Sequence, residues 1–293
     1  MDWRSIGILS DPMGVLVGLV RRVLKTDIGE RMATLESQNI SFECRMNRFS
    51  LDALQDLHLQ NPHRPEPLVF AAALLAEKQE WERVAQVTAL LRRRFPAEME
   101  GFRLGADAAR SLQRFDESER LALATARRFP NRAEGLLLHA IVAEVKGDKP
   151  EMVRRWDRAR RRFPKHRWAW TRSVDLAFEA GHTDEADRLM TRMLTDFADD
   201  PGVWRHAAEL EERRGDWHAA VEGWAQGRAR FPGTPAFYAF GARALRHLGE
   251  ANAAAALVVT ASFLFPRDPD VLAERAEITR LGLDPGPLPE TRE

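Results

Sequence analysis

The sequence predicts an all-α fold, a solenoid of short antiparallel helix pairs. Three observations lead there. The dipeptide Phe-Pro recurs at Phe95-Pro96, Phe129-Pro130, Phe163-Pro164, Phe231-Pro232 and Phe265-Pro266, and Phe197-Ala198 fills the gap in register, so the period is 34 residues throughout. A glycine marker at Gly147, Gly181, Gly215 and Gly249 keeps the same period independently. Within each period, bulky and small residues fall at helical spacing.

Placing the Pro at position 32 divides the chain into six units: 65–98, 99–132, 133–166, 167–200, 201–234 and 235–268. Position 4 is bulky: Leu68, Phe102, Leu136, Trp170, Trp204 and Tyr238. Position 8 is small: Ala72, Ala106, Ala140, Val174, Ala208 and Ala242. Position 20 is mostly small, with Ala186, Ala220 and Ala254 in the later units, while position 24 carries Trp156, Met190 and Trp224. Small residues at 8 and 20 let the two helices of a unit, A and B, approach closely. Large ones at 4 and 24 fill the space between neighbouring units.

Local signals give the helix ends. Gly at position 15 suits the turn between helices A and B. Asp200-Pro201, Thr234-Pro235 and Asp268-Pro269 each offer an N-cap followed by Pro at the first helical position. Asn131 with Glu134 has the spacing of a capping box. The arginines at the ends of helices B, such as Arg92 to Arg94 and Arg160 to Arg162, complement the helix dipole. Residues 269–282 are expected to form a capping helix ended by Gly282, followed by a disordered tail at 283–293. Residues 1–64 are expected to hold N-terminal helices with a degenerate repeat at 31–64, its second helix capped by Ser50.

The 34-residue length, with bulky position 4, small 8 and 20, and Pro at 32, resembles the tetratricopeptide repeat (TPR) family over 65–268. The resemblance implies a right-handed superhelix with helices A lining a concave face. It also implies a protein-interaction scaffold or adaptor. Unit 5, with Trp204, Glu211 or Glu212, Gly215 and Ala220, is similar to the half-a-TPR repeats of RNA-processing proteins, which makes an RNA-binding role the alternative. The RRFP-type repeats are also similar to those of accessory factors in bacterial envelope or polysaccharide assembly.

Composition narrows the field. The formal net charge is zero, which disfavours a nucleic-acid partner, and nearly all positive charge is Arg. Cys44 is the sole cysteine, so an intrachain disulfide and a cysteine zinc site are excluded. The opening residues lack a good secretory signal, and no stretch nears the ~20 apolar residues of a membrane span, so a cytoplasmic location is expected. Residues 9–25 place Met13, Leu16, Val20 and Val23 on one helical face, ahead of Lys25. Three readings stand for them: a cap on the first unit, a helix for a partner or dimer, or an interfacial membrane contact. The sequence leaves oligomeric state open.

No phosphate-binding glycine loop, zinc-protease helix or nucleophile elbow occurs, so neither catalytic residues, metal nor cofactor is expected. His206 and Glu209 lie three apart on one helix, but no third ligand is suggested. By the family resemblance, helix A positions 2, 5, 6, 9, 12 and 13 form the concave binding face. They include Arg103, Asp107 and Arg110 in unit 2, and Trp168, Arg172, Asp175 and Phe178 in unit 4. Unit 5 adds Arg205, His206, Glu209, Glu212 and Arg213, and unit 6 adds Phe240, Arg243, Arg246 and His247. The expected occupant is a protein or peptide whose acidic group meets Arg172, Arg205 and Arg243. Trp170 already fills position 4, so Trp168 is spare: it is either an interface anchor, which is the expectation, or a contact with the edge of the preceding unit. The competing reading is solvated pairs such as Arg205–Glu209.

Overall fold

The computed structural model describes residues 58–283. The helix expected at 9–25, the cap at Ser50, most of the degenerate repeat and the tail after Leu283 lie outside the described residues. The described chain is helical, with no strand in it. The described residues divide into two compact units, with the boundary between Ala169 and Trp170.

In the first unit, α1 (Glu66–Glu77) pairs with α2 (Trp81–Arg94), α3 (Glu100–Ser111) with α4 (Phe115–Arg128), and α5 (Glu134–Lys146) with α6 (Lys149–Arg162). Helix α7 (Arg167–Glu179) crosses into the second unit. That unit continues with α8 (Thr183–Asp196), α9 (Pro201–Arg214), α10 (Trp217–Arg230), α11 (Ala236–His247), α12 (Ala251–Leu264) and α13 (Pro269–Arg280). Helices B begin at residues 81, 115, 149, 183, 217 and 251, a constant step of 34. Connections this short force successive helices antiparallel.

The turns follow from side-chain chemistry. Gly147, Gly181, Gly215 and Gly249 all take a left-handed φ of 72° to 81° at position 15. Gln79 and Gln113 hold the same position in the first two pairs, each at φ 60°, a conformation that costs a residue with a Cβ energy. The Asp200 carboxylate accepts from the Gly202 N–H, and Asp268 accepts from Asp270 and Val271, as their caps require. Thr234 makes no such cap, since α11 starts behind Pro235 without a side-chain bond. The Asn131–Glu134 box is also absent: Glu134 turns back to Arg132 at 2.7 Å. Caps at Asp148 and Asp216, one residue after the turn glycine, start α6 and α10 instead.

Close packing explains the repeat. Ala106, Ala140, Ala208 and Ala220 are fully buried where the two helices of a pair meet. Position 4 faces the aromatic at position 31 edge to face: Phe102 on Phe129, Trp170 on Phe197, Tyr238 on Phe265. A second complementarity joins neighbours through positions 27 and 3. A Cβ on Gly101 would lie 2.9 Å from Leu91, and one on Gly227 would overlap the Phe237 ring. Small meets large at each of these contacts, with the sides exchanged between the two.

The helix-end arginines do more than face their own dipole. Arg162 donates to the Pro130 carbonyl at 3.2 Å, and Arg230 donates to the Ala198 carbonyl at 2.8 Å. Each thus satisfies a carbonyl at position 32 of the preceding repeat. Among the described residues, no helix is long and apolar enough to cross a membrane.

Candidate partner-binding face

The candidate face lies along helices A, and the charges of those helices set its geometry. In the first unit the charges at positions 5 and 9 of α3 are closed in. Arg103 and Asp107 are 5% exposed and pair with each other at 3.3 Å, with Glu100 and Arg110 completing the network. Buried and mutually satisfied, they are packing elements.

The second unit is built differently. Asp175, on α7, meets three side chains: Arg213 at 2.6 Å, His206 at 3.1 Å and Arg172 at 3.3 Å. Burial pushes the Asp175 carboxyl up, but hydrogen bonds and charge from His206, Arg213 and Arg172 outweigh it and hold the carboxyl below its usual range. Glu212, on α9, accepts from Arg243 at 2.6 Å and from the indole N–H of Trp224 at 2.8 Å. Glu274, on α13, accepts from Arg246 at 2.9 Å. One acid–base link therefore ties α7 to α9, one ties α9 to α11, and one ties α11 to α13. The guanidinium of Arg213 lies 4.5 Å from the Phe178 ring, and that of Arg243 lies 4.5 Å from Phe240.

These contacts correct part of the expected site. Trp168 is not an exposed anchor. It is 6% exposed and meets Trp156 edge to face with centroids 4.5 Å apart. Position 2 of a helix A lies over position 24 of the preceding helix B, and when both are Trp they fill one another's space. Arg172, Arg243 and Arg246 do not stand ready for a carboxylate, since Asp175, Glu212 and Glu274 already occupy them. His206 is buried at 8% exposure against Asp175, which accounts for it without a metal. Among the described residues no cluster of three or more metal-type ligands forms. Phe178 is half-buried in the core with Trp170 and Met190.

What remains accessible is centred on α9. Arg205 and Glu209 pair at 3.3 Å with half and 37% of their side chains exposed, and Arg213 is 38% exposed. Burial raises the Glu209 carboxyl, reinforced by the negative charge of Glu212 and opposed by Arg205, His206 and Arg243. At the edge, His247 stacks flat on Trp217 at 4.0 Å, a contact that sequence spacing did not suggest.

Two links recur in the manner of a repeat. The indole of Trp156 donates to Glu144 at 2.7 Å as Trp224 does to Glu212, both from position 24 to position 12. Arg92 donates to the Gly101 carbonyl as Arg228 does to that of Phe237, both from position 28 to position 3. The constant step of 34, the paired helices and these positional contacts decide the architecture. The fold is that of a TPR array. No protein-family model and no curated protein matches the sequence. Solved structures of similar shape exist at low identity. The pilF protein of Pseudomonas aeruginosa is 12% identical, with a TM-score of 0.49 over 73% of this chain and 97% of its own. A TPR protein of Parabacteroides merdae is 15% identical, with a TM-score of 0.47 over 69% and 75%. The Cut9–Hcn1 hetero-tetramer of the APC/C gives 15% and 0.48 over 79% of this chain, which spans only 46% of that one.

Proposed function

We propose that this chain is a protein-interaction scaffold that takes a partner protein or peptide along the helix A face of α7, α9 and α11. The observation that carries the reading is the contrast between the two units. At positions 5 and 9 of helices A the first closes its charges in, whereas the second keeps Arg205 and Glu209 open beside a frame that ion pairs, Arg213 with Asp175 among them, already hold. A partner meeting such a frame spends little on ordering it. Arg205 suits an acidic group of the partner through its planar fork. Glu209, with Arg205 as its neighbour, suits a basic one. Phe178 and Phe240, each under a guanidinium, hold Arg213 and Arg243 in place. Arg172, Asp175, His206, Arg243 and Arg246 hold this surface in place, and Trp168 fixes the start of α7.

The test uses a partner recovered by cross-linking in the source cells and then purified. Arg205→Glu is expected to weaken its binding at least tenfold, ~1.4 kcal/mol, in calorimetric titration. The weakening should shrink at high salt while the melting temperature stays that of wild type. Unchanged affinity in Arg205→Glu and in Glu209→Lys would reject the face.

A further inference from the structure

Helix α12 differs from every other helix B. Its sequence, ANAAAALVVTASFL, carries no charged residue. At positions 29 and 30, where the first three helices B carry Arg93-Arg94, Arg127-Arg128 and Arg161-Arg162, it carries Phe263 and Leu264. Phe263 is 72% exposed, Leu264 47% and Val259 45%. With Asn252, Ala253, Ala256 and Thr260, which are also exposed, they make one continuous uncharged stripe on the outer side of the helix. The buried side of α12, Ala254, Val258 and Ala261, is already used by α11 and α13.

The stripe is graded in size. Its N-terminal half is small and its C-terminal half is large. An antiparallel pairing of two such helices sets large against small at both ends at once, which is the self-complementarity a two-fold contact needs. It also opposes the two helix dipoles. The absence of charge removes the like-charge repulsion that arginines at these positions would bring. A lipid surface fits less well, because an interfacial helix flanks its apolar face with Lys or Arg and α12 has none.

We infer that two copies of this chain associate through the outer stripe of α12, antiparallel about an axis beside Ala256 and Val259, with Phe263 of each copy over Ala253 of the other. Fourteen residues span about 21 Å, so the contact is smaller than a standard interface and a weak association is expected. The inference is independent of the partner-binding reading.

Sedimentation of the full chain from about 1 to 200 µM tests it. The weight-average mass is expected to rise from 33.3 kDa towards twice that value. Phe263→Glu should weaken association at least tenfold, and because the side chain is exposed its melting curve should match wild type; Val259→Arg serves as the second variant. Adding Ala253→Lys to Phe263→Glu should restore association, because the new charges meet only between antiparallel copies. Within one helix they stand ~15 Å apart. A mass constant at 33.3 kDa overturns the proposal, as does self-association that survives both single variants. Failure of the double variant to recover overturns the antiparallel geometry. Sedimentation of a monomeric wild type with anionic vesicles would assign the stripe to lipid instead.

Discussion

Trp168 and Trp156 meet at 4.5 Å with their planes at 86°, and neither reaches solvent to any extent. Removing one leaves a large hole between helices that cannot collapse onto it. Trp168→Ala should therefore cost about 3–5 kcal/mol in denaturant unfolding. A melting midpoint equal to wild type would return Trp168 to the surface. At this scale the sequence was legible where a residue's role depends on its own repeat. The buried alanines at positions 8 and 20 follow from the size pattern alone. The ion pairs did not, because Asp175 meets Arg213 and Glu212 meets Arg243 across 38 and 31 residues. Reading Trp168 as spare failed for the same reason: its neighbour is on the preceding helix.

Elements are tuned to one another through size and charge. Gly227 on α10 exists because the ring of Phe237 on α11 occupies the space of a Cβ. Gly227→Ala adds one methyl to a helix that would otherwise gain from it, yet should destabilise by about 1–3 kcal/mol through overpacking. Thermal unfolding of Gly227→Ala checks it, and an increase in stability would mean that α10 and α11 pack less closely. Charge tunes α4, α5 and α6. Burial pushes the Glu119 carboxyl up, but Lys146 and Arg155 outweigh it and hold it at about 2. A carboxyl whose pKa falls on folding stabilises the fold above its unfolded pKa and loses that contribution as pH falls through the folded value. The loss should run from about pH 4.5 down to about 2 and amount to about 1–2 kcal/mol after solvent screening. Glu119→Gln should flatten this acid limb in urea titrations at successive pH values. An unchanged limb would show that Glu119 is not a source of it. The helices themselves were legible, because 34-residue spacing and turn glycines are local. Two expected caps were not realised, because Pro235 and Ala133 take the capping positions of α11 and α5.

The whole molecule combines two uses of one repeat. In the first unit positions 5 and 9 of helices A are apolar or closed into pairs, as with Leu137 and Ile141 at 1% and 4% exposure. In the second the same positions carry Thr171, Asp175, Arg205, Glu209 and Arg243. A net charge of zero thus conceals a local surface of alternating sign. The central claim is that this surface receives a partner. Photo-cross-linking in the source cells tests it most directly, with the photoreactive side chain at Arg205 on α9 or at Glu222 on the outer helix α10. Both sites have room for it, so neither should disturb the fold. One specific adduct is expected from Arg205, lost when Glu209 is also reversed to Lys, and none from Glu222. Adducts formed equally from both sites, or from Glu222 alone, would contradict it.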